Sequence, residues 1–199
     1  MDLIPAISDA AGPEPQSYKY EMKPDDENQA RGRVLAFAAD DVWARAQHLS
    51  RATNPALTAK TSPRTKPAPK PPQPTFSDVQ FRAFDLSNSN EPIFVVTAAA
   101  RLPQSAKGKT EPAPQIEFLV SLVVREDING DFHKILSNVT DTDHLDVLPR
   151  MDFIDAVDAD GDGRGELLFR QVSDAGSAFI VYRVIGNQLW TLFQGTPGS

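Results

Sequence analysis

Slid along itself by 73 residues, this sequence repeats its own texture. FRAFDLSNSNEPIFVV, beginning at Phe81, lies over IDAVDADGDGRGELLF, beginning at Ile154. Asp85 meets Asp158, Ser87 meets Asp160, Ser89 meets Asp162, Asn90 meets Gly163 and Ile93 meets Glu166; an apolar run follows in both. Downstream, IEFLVSLVVREDINGDFHKIL corresponds to SAFIVYRVIGNQLWTL as strand, hairpin turn, strand. The Asn129-Gly130 pair marks a hairpin because it accepts positive φ. Each unit therefore reads as four antiparallel strands, with a polar or acidic loop between the first and second. Four strands per repeat is the unit of a propeller blade, and closing a ring takes at least about four such units. The expectation is a mainly β domain over residues 76–199, with eight strands in two blade-like four-stranded antiparallel sheets (units 78–140 and 150–195). The two sheets either pack face to face as a sandwich-like pair or belong to something larger.

The first third of the chain has a different texture. Residues 1–27 mix Pro, Gly, Ser and acids without periodicity, which predicts disorder. Over 28–52, Leu35, Ala38, Val42, Ala46 and Leu49 recur at spacings of three and four, with Trp43 beside them, as on one apolar stripe of a helix. Gly32 blurs its start, and VLAFAA also fits a short strand. The stripe has two uses, packing on the downstream domain or holding a partner. Residues 53–75 end in KTSPRTKPAPKPPQPT, whose six prolines and four basic side chains cannot form a core and predict a semi-rigid, Pro/Lys-rich linker.

Charge is placed unevenly. From Asp141 to Glu166 nine acids face two arginines, a local balance of −7 that equals the net charge of the whole chain. That concentration argues against nucleic acid as a partner, because phosphate would be repelled, and favours a cation. No cysteine is present, which removes disulfide frameworks, thiolate metal sites and cysteine nucleophiles together. No stretch approaches the roughly 20 apolar residues of a membrane span, and MDLIPAISDAAGPEPQ lacks the basic and apolar regions of a signal peptide.

The acids culminate in DADGDGRGE, Asp158 to Glu166. Calcium takes six to eight oxygens from a loop that curls round it, and curling requires glycine. Asp158, Asp160 and Asp162 would point inward at positions one, three and five. Gly161 and Gly163 allow closure, Arg164 offers its carbonyl at position seven, and Glu166 completes the shell. Carboxylates held this close repel one another without a cation. An EF-hand is excluded, since position twelve is Phe169 rather than a bidentate Glu and the flanks read as strands. The D-x-D-G-D-G-x-x-E pattern between two strands resembles the calcium loop of FG-GAP/VCBS-type repeats, the blades of integrin-α-like β-propellers. The resemblance covers residues 150–195 well and 78–140 weakly. It implies Ca²⁺ as a structural ion on Asp158, Asp160, Asp162, Arg164 and Glu166. It also implies a non-catalytic, extracytoplasmic module that binds a protein or carbohydrate ligand. Position nine is usually Asp in that family, and its Phe-Gly and Gly-Ala-Pro signatures are absent here. Ser87 and Ser89 replace the acids of the first unit, leaving one site.

Other readings have less support. His48, His133 and His144 lack zinc-ligand spacing. Asp141, Asp143 and His144 read as a solvated acidic loop rather than a second cation site. Asp155 and Glu166 could form a glycosidase-like pair in a hydrolase fragment, but Trp190 and Tyr182 read as strand-packing residues rather than a sugar platform. Asn138-Val139-Thr140 matches a glycosylation sequon of a kind frequent by chance. A metal-free structural or interaction domain, binding its partner through the helix around Val42 and Trp43, is the alternative from a different class.

Overall fold

The structure, a computed structural model, describes residues 17–53, 73–103 and 116–198. The disorder expected for residues 1–16 and nearly all of the Pro/Lys-rich linker lie outside the described residues.

Helix α1 (Pro24–Thr53) starts earlier than the apolar periodicity indicates. Pro24 has the φ a first helical turn needs and no N–H to leave unpaired. Asp25, Asp26 and Glu27 follow it against the positive end of the helix dipole, and Arg51 lies in the last turn. Ala30, Val34, Ala38 and Val42 form a fully buried stripe at four-residue spacing, flanked by the partly buried Leu35, Ala46 and Leu49. VLAFAA is helical. The stripe is packed on the β domain, so Val42 is not open to a partner.

Two four-stranded antiparallel sheets follow, each a simple meander. The first contains β1 (Thr75–Phe84), β2 (Ile93–Arg101), β3 (Glu117–Glu126) and β4 (Phe132–Asp141). The second contains β5 (Arg150–Val157), β6 (Glu166–Ser173), β7 (Gly176–Ile185) and β8 (Gln188–Gln194). The expected pair of blade-like sheets is therefore present, and it is packed face to face. Alternation along β2 and β3 divides the core in two. Phe94, Val96, Leu122 and Val124 meet α1, while Ile93, Val95 and Val123 meet Met151, Leu167, Phe169 and Ile180 of the second sheet. The result is three layers: helix, sheet, sheet. Ser121 reinforces the inter-sheet contact by donating to the Met151 carbonyl.

Two expectations are corrected. Residues 17–23 are not loose chain: Lys19 bridges Phe84, Tyr20 N–H donates to the Ala83 carbonyl and Asp85 N–H to the Tyr18 carbonyl, which covers one end of the β1 edge. Tyr18 is buried by this pairing. Trp190 is a poor fit to a strand-packing role, since it is 56% exposed on the outer face, whereas Tyr182 does pack on the core. Asn138 of the sequon is buried and donates to the Pro149 carbonyl, with Val139 and Thr140 buried beside it, so the triplet is not presented for glycosylation.

The β3–β4 hairpin closes as its Asn-Gly predicts, with Gly130 at φ 80°. Asp127 organises the turn. Its Oδ2 lies 2.9 Å from His133 Nε2, and its Oδ1 accepts the N–H groups of Asn129 and Asp131. The His133 contact first, then the Asp131 N–H, hold its carboxyl at about 2, below the ordinary 3.8.

Two outcomes follow from the packing. Leu122→Ala, which empties a fully buried position between α1 and the first sheet, is expected to cost about 2–5 kcal/mol in urea denaturation. Because the folded-state pKa of Asp127 is depressed, its contribution is complete above about pH 4 and is lost as pH falls through about 2. A carbon-detected NMR titration should place Asp127 near 2, and Asp127→Asn should flatten the acid limb of stability between those values.

Candidate metal centre

The acidic nonamer joins β5 to β6 at one end of the second sheet. Asp158 shapes the loop: its Oδ1 accepts Gly161 N–H at 2.7 Å and its Oδ2 accepts Gly163 N–H at 2.9 Å. Both glycines have positive φ, 78° and 81°. The first unit builds a closely related turn. Asp85 accepts Ser89 and Asn90 N–H groups at 2.9 and 3.0 Å, and Asn88 and Asn90, the counterparts of Gly161 and Gly163, take φ of 53° and 62°. The 73-residue offset is thus reproduced in backbone geometry. At the positions of Asp160 and Asp162 the first unit has a hydroxyl pair, Ser87 Oγ and Ser89 Oγ, bonded to each other at 2.9 Å.

The two loops also touch. Gly165 N–H donates to the Leu86 carbonyl at 2.7 Å. A side chain at residue 165 would meet Leu86 and the Tyr18 ring at 2.9 Å, so only glycine fits there. Tyr18 therefore lies beneath the acidic loop. Burial, then the charges of Asp158, Glu166 and Asp162, push its phenol pKa up.

One carboxylate oxygen from each of Asp158, Asp160 and Glu166 lies within 4.8 Å of the other two, the one metal-compatible group among the described residues. Oxygens on a Ca²⁺ shell of 2.3–2.6 Å radius span at most about 5 Å, so donor type and spacing fit a hard cation. Glu166 is fully buried, and its Oε2 accepts Ala159 N–H at 2.8 Å. Asp162 and Arg164 sit on the shoulder of the group: Arg164 N–H donates to Asp162 Oδ1 and the Arg164 side chain is exposed.

A residue that sequence reading missed stands among these acids. Arg183, on β7 beside Glu166, donates Nε and Nη2 to Glu166 Oε1 at 2.9 and 2.6 Å. Nη2 also reaches Asp160 Oδ2 at 2.8 Å and Asp162 Oδ2 at 3.2 Å. The Glu166 hydrogen bond, then that to Asp160, raise the guanidinium pKa against the opposing effect of burial. The position is again repeated. Arg125 of β3 stands opposite Ile93 as Arg183 stands beside Glu166, and it binds Glu91 of its own unit's loop at 2.7 Å. The signal in sequence was LVVR against IVYR, an arginine at the same place in the third strand of each unit.

The three histidines are not gathered. His133 pairs with Asp127, His144 Nδ1 lies 2.5 Å from Asp141 Oδ1, and His48 is exposed on α1. Asp155 is exposed on β5, and its Oδ1 accepts Ala156 N–H. No family model, curated protein or solved structure matches the chain.

Removing Arg183 in ion-free buffer leaves Glu166 a buried, uncompensated carboxylate. Arg183→Met is expected to cost roughly 3 kcal/mol by urea denaturation in EGTA. Adding Glu166→Gln should restore most of that loss, since the pair is coupled.

Proposed function

We propose that this chain is a non-catalytic binding module of blade-like β repeats, of the FG-GAP/VCBS kind, whose acidic loop takes a structural Ca²⁺. One observation carries the reading: three carboxylates, one of them fully buried, converge within the span of a cation shell. A bound ion would neutralise the acids and fix the β5–β6 connection; it would supply no chemistry beyond this. Asp158, Asp160 and Glu166 would hold it, with Asp162 and the Arg164 carbonyl completing the oxygen set. Arg183 would have to withdraw or share the acids, so ion and guanidinium compete for one place. In this reading the module acts outside the cytoplasm on a protein or carbohydrate ligand.

A second reading is favoured by the Arg183 contacts themselves. The guanidinium is then the resident cation, and the domain is a metal-free interaction module. The two readings diverge in one experiment. Thermal unfolding in EGTA and in about 1 mM Ca²⁺ is expected to show a rise of several degrees for the wild-type chain, as for any ligand that binds only the folded state. The rise should vanish in Asp160→Ala/Asp162→Ala and should not be reproduced by Mg²⁺, which demands tighter octahedral geometry. Coincident curves in both media would establish the metal-free reading.

A further inference from the structure

The outer face of the second sheet carries a group of exposed aromatic side chains. Phe179, Trp190 and Phe193 are 51%, 56% and 56% exposed there, around Val181 and Leu168. Clusters of half-exposed aromatics on a sheet face mark a contact surface. The repeat identifies what kind. Aligning Ile93 opposite Arg125 with Glu166 beside Arg183 makes Leu167, Phe169 and Ile180 the counterparts of Phe94, Val96 and Leu122. The second sheet therefore meets the first with the residues that the first uses to meet α1. The layers stack front to back. By the same alignment Leu168, Val181 and Phe193 of the outer face are the counterparts of Val95, Val123 and Leu136, which lie in the contact between the sheets. The outer face thus repeats a surface that elsewhere in this chain is covered by a sheet.

We propose that this face pairs back to back with the same face of a second copy, forming a closed two-fold dimer. Helix α1 covers the front of the first sheet, so copies cannot add front to back; the stack has one uncovered end, and such an end closes isologously. Charge supports that arrangement. At one end of the face Arg150 and Arg170 stand with Asp152 and the turn residue Asp174, a balanced set. At the other end Asp158, Asp160, Asp162 and Glu166 outnumber Arg164 and Arg183. A two-fold axis in the interface and perpendicular to the strands lays the acidic end of each copy on the balanced end of the other and keeps the two acidic loops apart.

The inference is independent of any ion and is tested on the full chain by sedimentation velocity from about 1 to about 100 µM, the range in which a transient interface of ordinary size is populated. The mass should rise to twice that of the chain and stop. Phe193→Glu should weaken association by about tenfold or more, as expected for charge placed on an aromatic anchor. Phe179→Ser, a milder change at an exposed position, should weaken it with an unchanged melting temperature at the dilute end of the range, where the chain is monomeric. Hydrogen exchange on the unmodified chain supplies a check free of mutation: amides of the β8 edge should gain protection as concentration rises. A monomer throughout the range, open-ended growth, or a dimer indifferent to both substitutions would overturn the proposal.

Discussion

Phe94, Val95 and Val96 are consecutive and all buried, as are Leu122, Val123 and Val124 opposite them. Successive strand residues point to opposite faces, so three in a row can be buried only where a sheet is covered on both sides. That requirement sets the remaining architecture. One face needs the apolar stripe of α1 and the other needs the second sheet, and neither cover suffices alone. It also explains why a chain with so much unpatterned sequence has an ordered core: the apolar residues are concentrated in β2 and β3, and the other elements are placed by reference to them.

The candidate centre inherits its position from that layering. Because the sheets pack face to face, the loop of the first unit comes to lie under the loop of the second. Leu86 then supplies the carbonyl for Gly165, and Tyr18 fills the space left by the missing side chain. The acidic loop is held from beneath by parts of the chain about 80 and about 150 residues away, and the fully buried Glu166 lies next to that support. Local sequence shapes the turn through Asp158 and its two glycines; long-range packing decides how deep its last acid is buried.

This division also explains what could be read from residues alone. The eight strands, the hairpin at Asn129-Gly130 and the apolar stripe of α1 were legible because alternation, turn chemistry and helical spacing are local signals. The early start of α1 at Pro24 was available too, but the acids after it resembled the preceding unpatterned segment. Asp158, Asp160 and Glu166 were identified by spacing within nine residues. Arg183 was not, because its place among them depends on the register of β6 against β7. Tyr18 was invisible for a stronger reason, as its burial depends on a strand contact with β1 more than sixty residues away. The outward face of Trp190 likewise follows from pairing with Arg183, not from its own neighbours.

The two loops of the chain separate what the turn needs from what its charge implies. In the first unit a single aspartate, two residues with positive φ and a hydroxyl pair produce the turn, and the loop's other acid, Glu91, is paired with Arg125. The second unit reproduces that backbone with Asp158 and two glycines, and the oxygens of Asp158 are already engaged by N–H groups. Asp160, Asp162 and Glu166 are therefore not required for the shape of the connection. Their mutual repulsion raises the free energy of the folded state unless positive charge is placed between them, and burial of Glu166 makes that demand stronger. Arg183 meets it with one charge against three, which leaves the loop acidic with its own cation in place. A divalent ion differs from the guanidinium in carrying twice that charge on a point rather than a plane, and this is the physical ground on which the proposed ion would compete with it.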